Sequence, residues 1–179
     1  MTNRIVLTLT GSDRIGLVEH VTELILECGG DVRASRMARL GGEFAMLMLV
    51  SVPDGNAEQL FGNMENLTGE GFKVTITETE GGISAARKDW QPYRIEVHGA
   101  NHEGIIHEIA EHLSKQGINI ESIDTDVIPE PMSGAPLFTM EAIILAPPGL
   151  SEQTWQEELA EVADRLNVDL EMFVHNEGK

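Results

Sequence analysis

Apolar residues along this chain recur with two different periods, and the two periods follow one another in a fixed order. Ile5, Leu7 and Leu9 alternate with Val6, Thr8 and Thr10, a period of two that predicts a half-buried strand. Leu17, Val18, Val21, Leu24, Ile25 and Cys28 then recur at helical spacing and stop at Gly29-Gly30, a pair suited to ending a helix. Two strands are expected at 31–40 and 43–52, with Gly41-Gly42 between them as a tight hairpin. Leu60, Phe61, Met64 and Leu67 predict a second amphipathic helix, and Phe72, Val74 and Ile76 a closing strand. The predicted order is βαββαβ.

The same order then returns. Tyr93, Ile95 and Val97 alternate with Arg94, Glu96 and His98; Ile105, Ile106, Ile109 and Leu113 follow at helical spacing and stop at Gly117. Strands are expected at 118–128 and 137–146, then a helix through Trp155, Leu159, Val162 and Leu166 and a strand through Val168, Leu170, Met172 and Val174. Shifting the chain by 88 places brings Gly11 onto Gly99, Gly16 onto Gly104, and Cys28–Val32 onto Gln116–Ile120. Beyond the third element the offset becomes 94, so that Phe44 meets Phe138 and Pro53 meets Pro147, and the six additional residues fall in the Pro-rich stretch 128–136.

This arrangement predicts an α+β chain of two tandem ferredoxin-like βαββαβ units, each an antiparallel sheet with both helices on one face. The expected boundaries are 1–80 for the first domain, 81–90 for a linker opening on Gly81-Gly82, and 91–176 for the second. Each sheet is left with a bare face, from which association through sheet edges or faces, and hence a homo-oligomer, is expected.

Composition narrows the function. Asp plus Glu number 30 against 12 Lys plus Arg, for a formal charge of -18, and aromatic residues make up only 4%. Such a chain repels a phosphate backbone and has few rings on which nucleobases could stack, so no direct nucleic-acid contact is expected. Residues 1–88 hold 8 basic and 12 acidic residues, leaving 4 and 18 for the remainder, so the second half is the acidic one. Cys28 is the single cysteine, which precludes an intrachain disulfide and a cysteine-based metal cluster. No stretch is long enough to be a membrane span or a signal-peptide core, and a cytoplasmic, unprocessed protein is expected.

Candidate chemistry concentrates at the turn between first strand and first helix of each unit. Asp13 and Asn101 each stand three residues before a glycine, where a short polar side chain can cap a helix. Gly16 and Gly104 would also let the backbone approach a ligand, with a carboxylate received at the positive helix end. Both roles can hold together. His102, His107 and His112 lie five residues apart, which rotates each about 140° from the last on a helix, so they cannot converge on one ion; His107 and His112 are read as solvated. Strand alternation places Arg36 opposite Arg33 and Arg39, which dissolves an apparent phosphate patch. No metal or other cofactor and no catalytic set is expected. An acylphosphatase-like hydrolase would need a phosphate-cradling arginine in both turns, and Arg14 stands alone; an RNA-binding module would need aromatic pairs on the central strands.

The run Asn101-His102-Glu103-Gly104-Ile105-Ile106, followed after the helix by Gly117-Ile118-Asn119-Ile120, resembles the ACT domain. The resemblance implies a regulatory module that binds amino acids or other small ligands at domain interfaces, held by an asparagine three before the glycine and another just after the helix. Asn101 and Asn119 match those positions. The first unit carries Asp13-Arg14-Ile15-Gly16 and Asp31 in the corresponding places; a carboxylate cannot donate to a ligand carboxylate, although it suits an ammonium group. The tandem units, the Asp13–Leu17 turn and the segment Pro129–Met140 look like the glycine cleavage system transcriptional repressor group. That resemblance implies a non-catalytic regulator, with glycine as candidate signal, which contacts a DNA-binding activator and not DNA. Direct control of a metabolic enzyme by the same kind of module is the alternative.

Overall fold

The computed structural model describes residues 2–79 and 87–175, so most of the expected linker, at 81–86, lies outside the described residues. The chain divides into two compact units, Met1–Ala86 and Arg87–Lys179. In the first, β1 (Thr2–Ser12), α1 (Leu17–Glu27), β2 (Asp31–Leu40), β3 (Glu43–Pro53), α2 (Ala57–Gly69) and β4 (Lys73–Glu78) follow one another, with a short 3-10 turn at Asp54–Asn56. In the second the order repeats as β5 (Gln91–Ala100), α3 (Ile105–Lys115), β6 (Asn119–Pro129), β7 (Pro136–Ala146), α4 (Glu152–Leu166) and β8 (Val168–Val174). The sheets run β2-β3-β1-β4 and β6-β7-β5-β8, antiparallel throughout. This is the predicted α+β ferredoxin-like architecture, twice.

Alternation decides which residues enter each core. In the first unit Ile5, Leu7 and Leu9 of β1 and Met46, Met48 and Val50 of β3 meet Leu17, Val21 and Ile25 of α1 and Leu60, Met64 and Leu67 of α2. All are buried, and removing a side chain of this size from water contributes about 1.5–3 kcal/mol. The second core uses Ile95, Val97, Met140 and Ile144 against Ile105, Ile109, Leu113 and Leu159, with Trp155 edge-on to Tyr93 at 5.2 Å between ring centroids. Both residues of the Gly41-Gly42 hairpin have positive φ, 59° and 91°, the conformation a two-residue turn between right-twisted strands requires.

One expectation about strand faces is overturned. The β2–β3 register shifts between Val32 and Ala34, so Arg33 is the extra residue of a bulge. Arg33 donates from Nε to Ser51 Oγ at 3.0 Å and pairs with Asp31 at 3.1 Å, both on the face away from the helices. Arg36, in register with Leu47, shares that face, while Arg39 turns to the other and lies 3.7 Å from Asp13. The bulge displaces the alternation by one residue, so Arg33 and Arg36 are together and Arg39 is apart.

Candidate functional site

The turn before each first helix is built by the same three devices. Strand β1 runs to Ser12 and β5 to Ala100, and the next residue is pinned to the hairpin beside it: Asp13 N–H donates to Gly42 O at 3.1 Å, and Asn101 N–H to Pro136 O at 3.0 Å. The chain then reverses through Gly16 (φ 82°) and Gly104 (φ 92°), left-handed residues at the N-caps of α1 and α3. Finally Leu17 and Ile105 bury the first helical turn against the sheet. Only a residue without Cβ takes the left-handed position at no steric cost.

This corrects the capping reading. The N-cap is the glycine itself, without a side-chain capping bond, so Asp13 and Asn101 do not cap their helices. The first N–H groups of α1 and α3 therefore face the turn at the positive end of the helix, without a side chain of their own turn to accept from them. A carboxylate or other small anion is the natural complement.

The neighbouring side chains make the two turns different. Arg14 pairs with Glu70 and stacks its guanidinium 4.8 Å from the centre of the Phe72 ring. Its donation holds the Glu70 carboxyl below the usual carboxylate range, with His20 also lowering it. Ile15 projects fully into solvent. In the second unit, His102 places Nδ1 2.9 Å from the Glu103 carbonyl oxygen and Nε2 2.7 Å from that of Leu166. A neutral imidazole donates only once, so the pair of carbonyls favours the imidazolium; hydrogen bonds to Glu103 and then Leu166 raise the His102 pKa above its ordinary 6.5. Beside this turn lies an open pocket of about 630 Å³ lined by Asn101, Gly104, Ile105, Thr125, Val127 and Phe138 among others. That volume suits a small molecule.

Asn119 and Asp31 lie at the other end of their units. Asn101 meets Pro136 and Asn119 pairs with Leu145, so nine residues of β7 separate them, about 30 Å along the strand. Asp13 beside Gly42 and Asp31 beside Ser51 are separated in the same way. The structure therefore gathers Asn101, His102, Gly104 and Ile105 in one place, with Glu103 exposed on the turn, and leaves Asn119 elsewhere. At that far end Asn119 Nδ2 donates to Glu121 Oε1 at 2.7 Å, and Arg87 lies 3.6 Å from the same carboxylate. Glu121 occupies the bulge of β6, as Arg33 occupies that of β2. These bulge residues, and the β6 and β7 residues lining the pocket, escape sequence inspection because a bulge carries no compositional signal.

His112 departs from expectation as well. Its side chain is only 14% exposed, packed against α4 with Nε2 4.0 Å from Glu158, and Nε2 is buried without a hydrogen-bond partner. The packing of helix on helix, absent from a periodicity count, removes it from solvent; His107 is exposed as expected. Among the described residues no group of three or more His, Cys, Asp or Glu could hold a metal ion. No described helix is long and apolar enough to cross a membrane.

Tandem βαββαβ units with a glycine-led helix start define a class, and comparison with known proteins agrees: the chain is an ACT-domain protein, the ACT-domain family model matching residues 3–75. Its relatives sharpen the picture. A segment of 47 residues is 43% identical to the glycine cleavage system transcriptional repressor of Escherichia coli (strain K12), over 26% of this chain and 25% of that protein. A crystal structure of an unknown protein from Galdieria sulphuraria is 30% identical, covers 98% of this chain and 100% of that one, and superimposes with a TM-score of 0.86. A candidate glycine cleavage system transcriptional repressor of known structure is 20% identical over 98% of this chain and 99% of that one, with a TM-score of 0.68; this likeness speaks to fold.

Proposed function

We propose that the chain is a non-catalytic, ligand-sensing regulator in which a small amino acid, with glycine as first candidate, binds at the helix-start turn of the second unit. The observation that carries this is the left-handed Gly104 at the start of α3, which leaves helix N–H groups facing a small pocket beside Asn101. The ligand carboxylate meets those N–H groups. Asn119, about 30 Å along β7, can share the ligand only if the far end of the same unit in a second copy comes alongside; in this reading the ligand sits at an interface between copies and couples occupancy to association. The first unit, with Asp13 held by Arg39 and Asp31 by Arg33, serves a different ligand or packing alone.

Coupling then links the ligand to a protein partner, which we take to be a DNA-binding activator of the glycine cleavage system, reached by protein contact in the cytoplasm. The 43% identity over 47 residues to a repressor of that system supports the link to its control, and the net charge of -18 supports a protein partner over DNA. Residues 81–90 join the two domains. Calorimetric titration with glycine and the common amino acids tests the sensing step: a saturable heat that Asn101→Ala and Asn119→Ala both weaken is expected, and silence across the panel at millimolar ligand overturns it. Affinity capture that returns a metabolic enzyme in place of a transcription factor would turn the reading to enzyme control.

A further inference from the structure

The helix-free faces of the two sheets are built alike and charged oppositely. In the second unit Asp124 pairs in register with Glu141, Glu141 with Glu96, and Glu96 with Glu171. One row of the sheet thus sets a carboxylate on all four strands. Like charges directly opposite each other destabilise a sheet, and Arg94 answers only in part, 3.0 Å from Glu96 and 3.9 Å from Glu141. Asp124 and Glu171 have no cation within 4 Å among the described residues. The equivalent row of the first unit is Arg36, Leu47, Thr8 and Thr75, with Lys73 beside Thr10 in the next row and Arg4 opposite Ser51. Leu47 there is 48% exposed.

We infer that the carboxylate row of the second unit docks on the Arg36 and Lys73 face of the first unit of a second copy of this chain. Charge decides the pairing. Two carboxylate faces repel, which excludes the like-on-like arrangement, whereas acidic on basic is attractive and places Leu47 under cover. In a two-fold pair the contact is made twice, first unit to second and second to first, so the assembly closes. Four strands by about six residues cover about 400 Å² per face, so the doubled contact buries about 1,600 Å² in all, the size of a stable specific interface. This pairing stands apart from ligand sensing and does not need it.

The test uses the full chain and two charge-reversed versions, with circular dichroism to establish folding. Sedimentation equilibrium of the unaltered protein should show a dimer that weakens as NaCl rises from about 0.1 M to 1 M, where the screening length falls from about 10 Å to about 3 Å. Arg36→Glu with Lys73→Glu makes both faces acidic; changing all four row carboxylates, Asp124, Glu141, Glu96 and Glu171, to Lys makes both basic. Each version alone should dimerise at least about tenfold more weakly, and an equimolar mixture of the two should form a heterodimer, because both of its contacts are again opposite in charge. A monomer under all conditions, a dimer indifferent to salt, or altered chains that fail to pair when mixed would overturn the inference. The salt series needs no altered chain, so it stands even if a charge-reversed version unfolds.

Discussion

His102 Nε2 lies 2.7 Å from the carbonyl oxygen of Leu166, tying the helix-start turn of the second unit to the last turn of α4. Nδ1 of the same ring reaches the Glu103 carbonyl, so both bonds hold together only in the imidazolium form. The folded pKa is raised above 6.5, and the sign follows: the contribution to stability is complete below about pH 6.5 and is lost as pH rises through the higher folded value. Imidazole resonances followed by NMR should titrate above the unfolded reference. His102→Gln should flatten the dependence of melting temperature on pH between 6 and 8; an unchanged slope would assign that dependence to another group.

Gly104 tests the turn itself. Its φ of 92° is costly for any residue with a Cβ, yet a Cβ there would meet nothing within 4 Å. Gly104→Ala should therefore lower stability by about 1–2 kcal/mol through backbone strain alone. Urea unfolding measures this. Gly16→Ala should cost a similar amount, since φ there is 82° with equally open space.

Gly99 tests a different constraint. Its φ is unremarkable, but a Cβ would lie 2.7 Å from Val168 Cγ1 and 3.0 Å from Val168 Cα, on the strand paired with it. Backbone cannot step aside as a side-chain tip can. Gly99→Ala should destabilise by about 1–3 kcal/mol, and the double change with Val168→Ala should recover only part, because the backbone of residue 168 still stands in the way. Full recovery would show the obstruction to be the Val168 side chain.

Cys28 is wholly buried at the end of α1, with Asn63 donating to its sulfur at 3.5 Å. Burial pushes the thiol pKa up, helped by Glu27, and the Asn63 hydrogen bond only partly opposes this. A protonated, inaccessible thiol reacts slowly. Labelling with an aromatic disulfide should be slow in buffer and should accelerate in step with unfolding of the first unit. Rapid labelling of the native protein would mean that the end of α1 opens independently.

Much of this architecture was legible along the chain, for a physical reason. Ile5, Leu7 and Leu9, or Leu17, Val21 and Ile25, reveal strand and helix because a buried face imposes its period on the sequence. Duplication printed that period twice. Gly16 and Gly104 announced the turns because a left-handed backbone costs a residue with a Cβ and costs glycine nothing. What depended on the fold is what has no period. The bulges at Arg33 and Glu121 moved side chains between faces, helix packing drew His112 out of solvent, and strand direction put Asn101 and Asn119 at opposite ends of one unit. The row Asp124, Glu141, Glu96 and Glu171 comes from four separate strands, and only their register brings it together. Sequence by itself determined the elements and their order, because these follow from local burial and backbone freedom; tertiary structure decided which charges and amides become neighbours, because cross-strand register and helix packing join residues that the chain keeps far apart.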